Sequence, residues 1–436
     1  MSALEQAIPE GYRQTEVGVI PANWKVSRLD ELISFKNGAA HEDCINEYGD
    51  FVLVNSKFIS TEGKVRKGSS ECRQAAFKND LLMVMSDVPN GKAIAKCFLV
   101  DQDNVYTVNQ RICVLTPNHD VSPFFLLKTL SRNPYYLAFD DGAKQTNLRK
   151  EDVLSCLLVK PPIKEQTAIA NALSDVDALF TELEKLIAKK QAIKTATMQQ
   201  LLTGKTRLPQ FATYTEGEKQ GQLKGTKPSE LGEIPEDWEV VTFGELFEQS
   251  ISRKSLKADM TTTFVGMQDV SESARLIKQT PVIVSKVKSG FTYFERHDVL
   301  VAKITPCFEN GKGCHTKKLD TEHGFGSTEF HVLRAKLNAD SDFIYFWTTR
   351  DIFRQELESE MVGSAGHRRV PFSALQNYKI PCPDSKEEQT AIATILSDMD
   401  NEIQTLEQRL AKTRQIKQGM MQELLTGRTR LPLDKG

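Results

Sequence analysis

The chain lacks the patterns that mark membrane, secreted and metal-binding proteins. No apolar run approaches the roughly 20 residues that a membrane helix needs, and residues 1–6 show no basic-then-apolar leader. Its eight cysteines are scattered without a C-x-x-C pair, which favours reduced thiols over a disulfide framework or a zinc site. We therefore expect a cytoplasmic protein that has no membrane association and holds no metal.

A strong net charge is also missing. The 56 lysines and arginines are balanced by 58 acidic residues, which gives a net charge of −2 over 436 residues. This balance argues against a generally basic nucleic-acid binder but leaves local basic surfaces open. The length predicts roughly two to four domains.

Enzyme signatures are incomplete. Asn133-Pro-Tyr-Tyr136 is close to the (N/D/S)-P-P-(Y/F) motif of adenine methyltransferases, but it lacks the second proline and a preceding glycine-rich loop. Gly91-Lys92 and Gly311-Lys312 lack both the first glycine and the following hydroxyl residue of a Walker A loop. We predict that the chain has no catalytic residues and is not an enzyme by itself.

The chain contains an internal duplication. Residues 165–209 align with residues 388–432 without a gap, and 26 of the 45 positions are identical. Upstream, Gly18-Val-Ile-Pro-Ala-Asn-Trp24 matches Gly232-Glu-Ile-Pro-Glu-Asp-Trp238, whereas residues 39–75 have no clear counterpart. One part of the repeat stayed alike while the other was free to change, which indicates a shared scaffold that carries two different recognition surfaces.

The repeat predicts an α+β protein with two globular domains, since short apolar runs alternate with turns in residues 79–115 and 298–334. If a pseudo-twofold axis relates the halves, the two chain termini should lie close together. The predicted segments are a first domain over residues 1–162, a spacer helix over 163–209, a linker over 210–231, a second domain over 232–384 and a second spacer helix over 385–436.

Each predicted spacer helix carries an apolar seam with heptad spacing, so the two helices most simply pair with each other as a long antiparallel coiled coil. Such a coiled coil either only dimerises or stabilises the protein, or it separates the two domains by a fixed distance. A helix of about 39 residues is a rod of roughly 58 Å. The second half of each helix is basic, which fits either a solvated face or contact with nucleic acid or an acidic partner. The predicted seam residues are Leu173, Val176, Phe180, Leu183 and Ile187 in the first helix and Leu396, Met399, Ile403, Leu406 and Leu410 in the second.

A polar loop precedes each long helix and presents amides and cations. Glutamine and asparagine can pair with adenine in the major groove, and arginine or lysine with guanine. Lys92 and Lys312, in Asn-Gly-Lys turns, either touch phosphates or merely solvate a hairpin tip. The candidate DNA contacts in the loops are Lys144, Gln145, Thr146, Asn147 and Arg149 in the first half and His367, Arg368 and Arg369 in the second.

The duplicated order resembles the specificity subunit of type I restriction-modification systems. Three signatures carry the resemblance: G-x-I-P-x-x-W at each domain entry, a proline-rich turn leading into Glu-Gln at each helix start, and L-L-T-G-[KR]-T-R-L-P at each helix end. The resemblance covers essentially the whole chain. The resemblance does not assign base contacts. The two loops are candidates for DNA contact because of their position and their side-chain chemistry.

The resemblance implies that each globular stretch is a target-recognition domain that reads one half of a bipartite, asymmetric site in double-stranded DNA. The helices would space these domains and dock two methyltransferase subunits, with restriction subunits joining them. The cofactors S-adenosylmethionine, ATP and Mg²⁺ would belong to those partners, and none to this chain. The alternative is a structural adaptor that bridges proteins without reading DNA, but it leaves the divergence of the two domains unexplained.

Overall fold

The computed structural model describes residues 8–89, 91–364 and 366–432. The chain forms two compact units, which we call unit 1 and unit 2. Unit 1 takes in the chain up to Glu184 and again from Arg409, and unit 2 consists of Lys185–Gln408. Both unit boundaries fall inside a long helix, so each unit combines one globular domain with part of both helices.

Unit 1 is an α+β unit in which the chain enters and leaves its globular domain on paired strands. The strands are β1 (Tyr12–Thr15), β2 (Gly18–Pro21), β3 (Lys25–Arg28), β4 (Ile33–Asn37), β5 (Phe51–Val54), β6 (Gly68–Ser69), β7 (Ala75–Ala76), β8 (Leu81–Val84), β9 (Ser86–Asp87), β10 (Cys97–Leu99), β11 (Tyr106–Val108), β12 (Ile112–Pro117), β13 (Thr146–Asn147) and β14 (Leu157–Lys160). The helices are α1 (Leu29–Leu32), α2 (Ser56–Ser60), α3 (Pro123–Leu130), α4 (Pro134–Leu137), α5 (Lys150–Leu154) and the long α6 (Ile163–Leu202), which begins here.

Two four-stranded sheets form the body of this domain. One is antiparallel in the order β10-β8-β12-β4, and the other has the order β6-β5-β11-β7, with β5 and β11 parallel. Strand β8 is buried on both faces, because Leu81 and Met83 pack into one apolar cluster and Leu82 and Val84 into another. Its unbroken apolar run follows from that position. Strand β3 pairs with β14 and joins domain entry to exit.

Unit 2 repeats this plan. Its strands are β15 (Thr226–Ser229), β16 (Gly232–Pro235), β17 (Trp238–Thr242), β18 (Thr261–Val265), β19 (Thr280–Ile283), β20 (Thr292–Glu295), β21 (Val299–Ala302), β22 (Gly313–His315), β23 (His323–Gly326), β24 (Phe330–Leu333) and β25 (Lys379–Pro383). Its helices are α7 (Val284–Val287), α8 (Ser341–Thr348), α9 (Asp351–Glu358), α10 (Phe372–Asn377) and the long α11 (Lys386–Leu424), with 3-10 turns at Pro209–Phe211, Phe243–Glu245, Met267–Asp269 and Thr316–Lys318.

The sheets of unit 2 match those of unit 1 strand for strand at their centres. The antiparallel sheet has the order β22-β21-β24, and the mixed sheet β19-β18-β23-β20 contains the parallel pair β18–β23. Strand β21 is buried between two apolar clusters, as β8 is. Entry strand β17 pairs with exit strand β25. The prediction of an α+β chain with two globular domains is confirmed, and the duplication extends through the globular parts as well.

The residues of the predicted heptad seam lie on the long helices α6 and α11. All ten predicted seam residues are buried or half-buried. Ile193 and Ile416, the next isoleucines along the two helices, are 41% and 48% exposed. Beyond them, Leu201 packs against Trp238 in unit 2 and Leu424 against Trp24 in unit 1. The last turns of each long helix therefore belong to apolar clusters that contain residues of a globular domain and also residues near the start of the other long helix.

Within each unit, ion pairs join the basic second half of one long helix to the acidic first half of the other. Residue numbers rise along one helix as they fall along the other, so the two segments run antiparallel in both units. These acids give the basic stretches a partner inside the chain, which the sequence alone left open. The pairs are Lys190–Glu402 (2.7 Å) and Lys194–Asp400 (2.6 Å) in unit 2, and Asp177–Lys417 (2.5 Å) and Glu184–Arg414 (3.8 Å) in unit 1.

A buried glutamate at the start of each long helix binds the residues that follow the end of the other helix. In unit 2, Glu388 accepts hydrogen bonds from Arg207 Nε (2.6 Å) and Nη2 (2.7 Å) and from Trp238 Nε1 (3.2 Å). In unit 1, Glu165 accepts from Arg430 Nε (3.2 Å) and Trp24 Nε1 (3.1 Å). We call each such set a clasp.

The glycines at the helix ends allow these clasps to close. Gly427 has a φ of +74°, and a Cβ placed on it would lie 2.5 Å from Pro21 Cδ. Gly204 has a φ of +70° and the same relation to Pro235. Tyr12 Oη also donates to the Gly427 carbonyl (3.0 Å), so the two ends of the described chain meet in unit 1. The termini themselves, residues 1–7 and 433–436, lie outside the described residues.

Asp237 extends the clasp of unit 2. Its carboxylate accepts from Arg207 Nη1 (2.7 Å) and Lys224 Nζ (2.7 Å). Burial raises the pKa of Asp237, but these two hydrogen bonds lower it by more, so that it lies below its ordinary value. The Asp237 carboxylate therefore makes its full contribution to stability at a pH above its pKa in the unfolded chain. That contribution is lost as the pH falls through the lower pKa of the folded chain.

We predict that Arg207→Met destabilises unit 2 more than Glu388→Gln does. The first change leaves Glu388, which is 3% exposed, as an uncompensated buried charge, at a cost of about 3–5 kcal/mol. The second removes the charge and leaves Arg207 paired with Asp237. Thermal unfolding of the full chain measures both changes.

The double variant Arg207→Met/Glu388→Gln should be more stable than Arg207→Met alone. Lys227→Met is the control, since Lys227 forms an exposed ion pair with Glu239 and its loss should cost about 1 kcal/mol or less. If the stability lost in the double variant equals the sum of the losses in the two single variants, the clasp is contradicted.

Candidate nucleic-acid interface

In unit 1, the structure brings the predicted loop and the predicted turn together. Strand β13, inside the loop, pairs antiparallel with β9, which leads into the turn that carries Lys92. Thr146 lies opposite Asp87 and Asn147 opposite Ser86. Candidate residues that are more than 50 positions apart in sequence therefore share one surface. Asn90 of the Asn-Gly-Lys turn lies outside the described residues.

Three polar side chains form a hydrogen-bonded group on this surface. Gln145 Nε2 donates to Ser86 Oγ (2.7 Å) and to Asn147 Oδ1 (3.2 Å), and Ser86 Oγ donates to Asn147 Oδ1 (2.6 Å). Gln145 and Asn147 are both exposed. The hydrogen bonds hold the two amides in fixed positions, which favours bidentate pairing with a base edge. Sequence reasoning missed Ser86, because a serine at the end of an apolar strand gives no signal.

The other candidates in this loop have different surroundings. Thr146 is buried and its Oγ1 donates to Asp140 (2.9 Å), so it supports the loop from inside. Arg149 is exposed but donates two hydrogen bonds to Asp152, each of 3.1 Å. Those bonds lower the pKa of Asp152 below its ordinary value. Lys144 and Lys92 are exposed and have the freedom to reach a phosphate.

In unit 2, the second loop pairs with the equivalent turn. Thr305 N donates to the Arg368 carbonyl (3.0 Å), and Val370 N donates to the Lys303 carbonyl (2.8 Å). The loop bends at Gly363, where φ is +126° and a Cβ would lie 2.7 Å from the His367 carbonyl oxygen. Both units therefore present a polar loop beside the turn that follows the central strand of the antiparallel sheet.

The side chains of the second loop are guanidinium groups instead of amides. Arg369 donates from Nε and Nη2 to Glu329, both at 2.9 Å, and its hydrogen bonds lower the pKa of Glu329. Arg368 lies 3.5 Å from Glu358. His367 is exposed. The acidic partners hold the arginines at the surface, ready to exchange a carboxylate for another acceptor.

Lys312 does not match Lys92 in its environment. Its Nζ donates to the backbone carbonyl of Met267 (3.1 Å), and the residue is half-buried. The hydrogen bond turns the ammonium group toward its own domain. The structure therefore does not bring Lys312 to the same surface as the loop arginines.

The incomplete methyltransferase motif has a structural role. Asn133 Oδ1 accepts from Tyr135 N (2.9 Å) and caps α4, while Tyr136 is fully buried with its hydroxyl donating to the Val153 carbonyl (3.0 Å). No cluster of histidine, cysteine and carboxylate side chains suited to a metal ion occurs in the described part of the chain. None of the helices between residues 8 and 432 has the length and apolarity that a bilayer crossing requires.

Comparison with known proteins relates this architecture to one family. The model of the type I restriction modification DNA specificity domain matches residues 21–195 and again residues 235–415. The chain is 24% identical to the putative type I restriction enzyme MjaX specificity subunit of Methanocaldococcus jannaschii, over 97% of each chain. It is 34% identical to the type I restriction enzyme EcoEI specificity subunit of Escherichia coli, over 42% of this chain and 32% of that protein.

Solved structures show the same fold. The S subunit of a type I restriction-modification system from M. genitalium superposes with a TM-score of 0.56 at 16% identity, covering 92% of this chain and 96% of that chain. A chain from a study of complex assembly and conformational transition of the type I R-M system gives 0.51 at 17% identity, covering 94% and 99%.

Proposed function

The chain belongs to the family of type I restriction modification DNA specificity proteins, and we propose that each of its two units reads one half of a bipartite, asymmetric site in double-stranded DNA. It is the sequence-recognition component of a restriction-modification system and is not itself catalytic. The observation that carries the proposal is the loop beside the turn, which recurs in both units with different side chains.

The two surfaces differ in the chemistry that they offer to a base edge. Unit 1 presents the amides of Gln145 and Asn147, which suit adenine, and unit 2 presents the guanidinium groups of Arg368 and Arg369, which suit guanine. A common framework with different readers explains an asymmetric site. An adaptor that did not read DNA would give no reason for this difference.

Affinity for the DNA backbone is expected to be low in the isolated chain. Arg149, Arg368 and Arg369 all lie beside carboxylates, and the net charge is −2. Phosphate contacts supply much of the free energy of DNA binding. We propose that partner subunits on the same DNA contribute most of them.

The proposed partners are two methyltransferase subunits, joined by restriction subunits. S-adenosylmethionine, ATP and Mg²⁺ are proposed to bind to those partners and not to this chain, and the complex is proposed to be cytoplasmic. Docking on α6 is supported by Leu186 and Ile193, which lie seven residues apart and are 38% and 41% exposed. Exposed apolar side chains at heptad spacing suit a partner helix.

Methylome sequencing tests the function directly. A host that expresses this chain with its neighbouring methyltransferase subunit should gain N6-methyladenine on both strands of a new bipartite motif, compared with a host that lacks this chain. Unchanged methylation despite a soluble, assembled complex would favour the adaptor.

Substitutions in the first loop should affect one half-site only. We predict that Gln145→Ala/Asn147→Ala lowers affinity for the half-site read by unit 1 by roughly 1–3 kcal/mol per lost base contact. Competition binding of the assembled complex to duplexes with one mutated half-site measures the change. The variant should lose discrimination at one half-site and keep it at the other.

Lys144→Ala and Arg369→Ala are the matched comparisons. The lysine variant should weaken binding to all duplexes alike and reduce its salt dependence, because a phosphate contact carries no base information. The arginine variant should relax the other half-site. Equal loss of discrimination at both half-sites in the first-loop variant, or none, would disprove the assignment.

A further inference from the structure

A cavity of about 360 Å³ lies in unit 2, and no residue of the proposed reading loop lines it. Its wall comes from the end of α6, from β16, from the junction of α8 and α9, and from the start of β25. Besides Trp347, its charged or polar residues are Thr203, Lys205, Glu233, Arg350, Glu356, Tyr378 and Lys379. The proposed function uses none of these side chains.

A buried hydrogen-bond donor in this wall has no acceptor. Trp347 is 1% exposed, and no described residue accepts a hydrogen bond from its Nε1. The chain has three tryptophans, and the indoles of Trp24 and Trp238 both donate to a clasp glutamate. A buried polar group without a partner is costly, so the site favours a ligand that can accept.

Arg350 adds a second set of free donors. Its guanidinium carbon lies 4.4 Å from the centre of the Trp347 ring, and no described residue forms a hydrogen bond or ion pair with its side chain. Burial lowers the pKa of Arg350, partly offset by Tyr378 and Glu356. Glu356 is already engaged, since it accepts a hydrogen bond from the Tyr378 hydroxyl.

The equivalent place in unit 1 lacks both features. Arg132 follows α3 at the same distance as Arg350 follows α8, but its Nη1 donates to the Ile94 carbonyl (3.3 Å). Thr129 stands where Trp347 does and donates to the Phe125 carbonyl (2.9 Å). Unit 1 satisfies these groups internally, so the unpaired donors are a property of unit 2 alone.

We propose that this cavity binds a small oxyanion through the Arg350 guanidinium and the Trp347 indole N–H. Arginine presents a planar fork of donors that suits a phosphate or carboxylate, and bonds to an ionised acceptor are the stronger kind. Exposed Lys205 adds positive charge at the rim. The depth of the Trp347 indole favours a free phosphate or the terminal phosphate of a nucleotide over a phosphate within a DNA strand, which carries a sugar on both sides.

Titration of the full-length chain with inorganic phosphate at constant ionic strength tests the site. Calorimetry should show one saturable site, and tryptophan fluorescence should change in parallel. Trp347→Phe keeps the ring that stacks on Arg350 and removes only the N–H. It should abolish the fluorescence response, although Trp24 and Trp238 remain, and weaken binding several-fold.

Arg350→Met should weaken phosphate binding by about 10- to 100-fold, the effect of one charge-assisted hydrogen bond. Without phosphate, the variant should unfold at the same temperature as the parent chain or higher, because it loses a half-buried charge that has no partner. Phosphate should raise the unfolding temperature of the parent chain and not that of the variant. Arg132→Met in unit 1 is the matched control and should bind phosphate normally.

Adenosine monophosphate and a random DNA duplex identify the source of the anion. Binding of the nucleotide with phosphate-like affinity assigns the site to a phosphate carried by a nucleotide, whereas binding of phosphate alone assigns it to the free ion. The proposal is overturned if no saturable binding occurs, if Arg350→Met and Arg132→Met behave alike, or if the duplex displaces phosphate. None of these results depends on recognition of a DNA site.

Discussion

A carboxylate buried at the start of each long helix determines how the chain closes on itself. Glu165 and Glu388 are both nearly inaccessible to solvent, and a buried glutamate needs a partner. Each finds one in an arginine that follows the other helix, Arg430 or Arg207, and in the tryptophan at a domain entry. If either helix end detached, Glu165 or Glu388 would remain as an unpaired charge in an apolar interior. This dependence accounts for the likeness of the two helix segments, because the Glu-Gln starts and the Arg-Leu-Pro ends meet each other across the duplication.

Charge segregation along the helices complements the clasps. An acidic first half and a basic second half, repeated in both helices, match only when the helices run antiparallel, since a parallel pair would set acid against acid. Asp177 and Asp400 show the principle in the two units. Asp177 pairs with Lys417 and also with Lys128 of its globular domain. Asp400 pairs with Lys194 and also with Arg275 of its globular domain. In both units the same carboxylate thus fixes helix direction and attaches the domain to the helices.

The sequence predicts the scaffold better than the reading surface, and the reason is physical. Heptad spacing and glycine helix ends are local patterns, so the seam from Leu173 to Ile187 can be read directly. The group formed by Gln145, Asn147 and Ser86 depends on β9 pairing with β13 across about 60 residues of chain, which no local pattern encodes. Lys312 shows the converse case. Its turn matches that of Lys92 in sequence, yet a single carbonyl turns its side chain inward.

The most direct test is to exchange a domain. A chain whose residues 25–160 are replaced by residues 239–383 would carry the second reader twice on an unchanged pair of helices, and the paired entry and exit strands of both domains permit the graft. If each unit reads its own half-site, methylome sequencing should show a symmetric motif in which the half-site of unit 2 appears twice in inverted orientation. Retention of the parental motif, or a folded and assembled complex that methylates no defined sequence, would contradict the account.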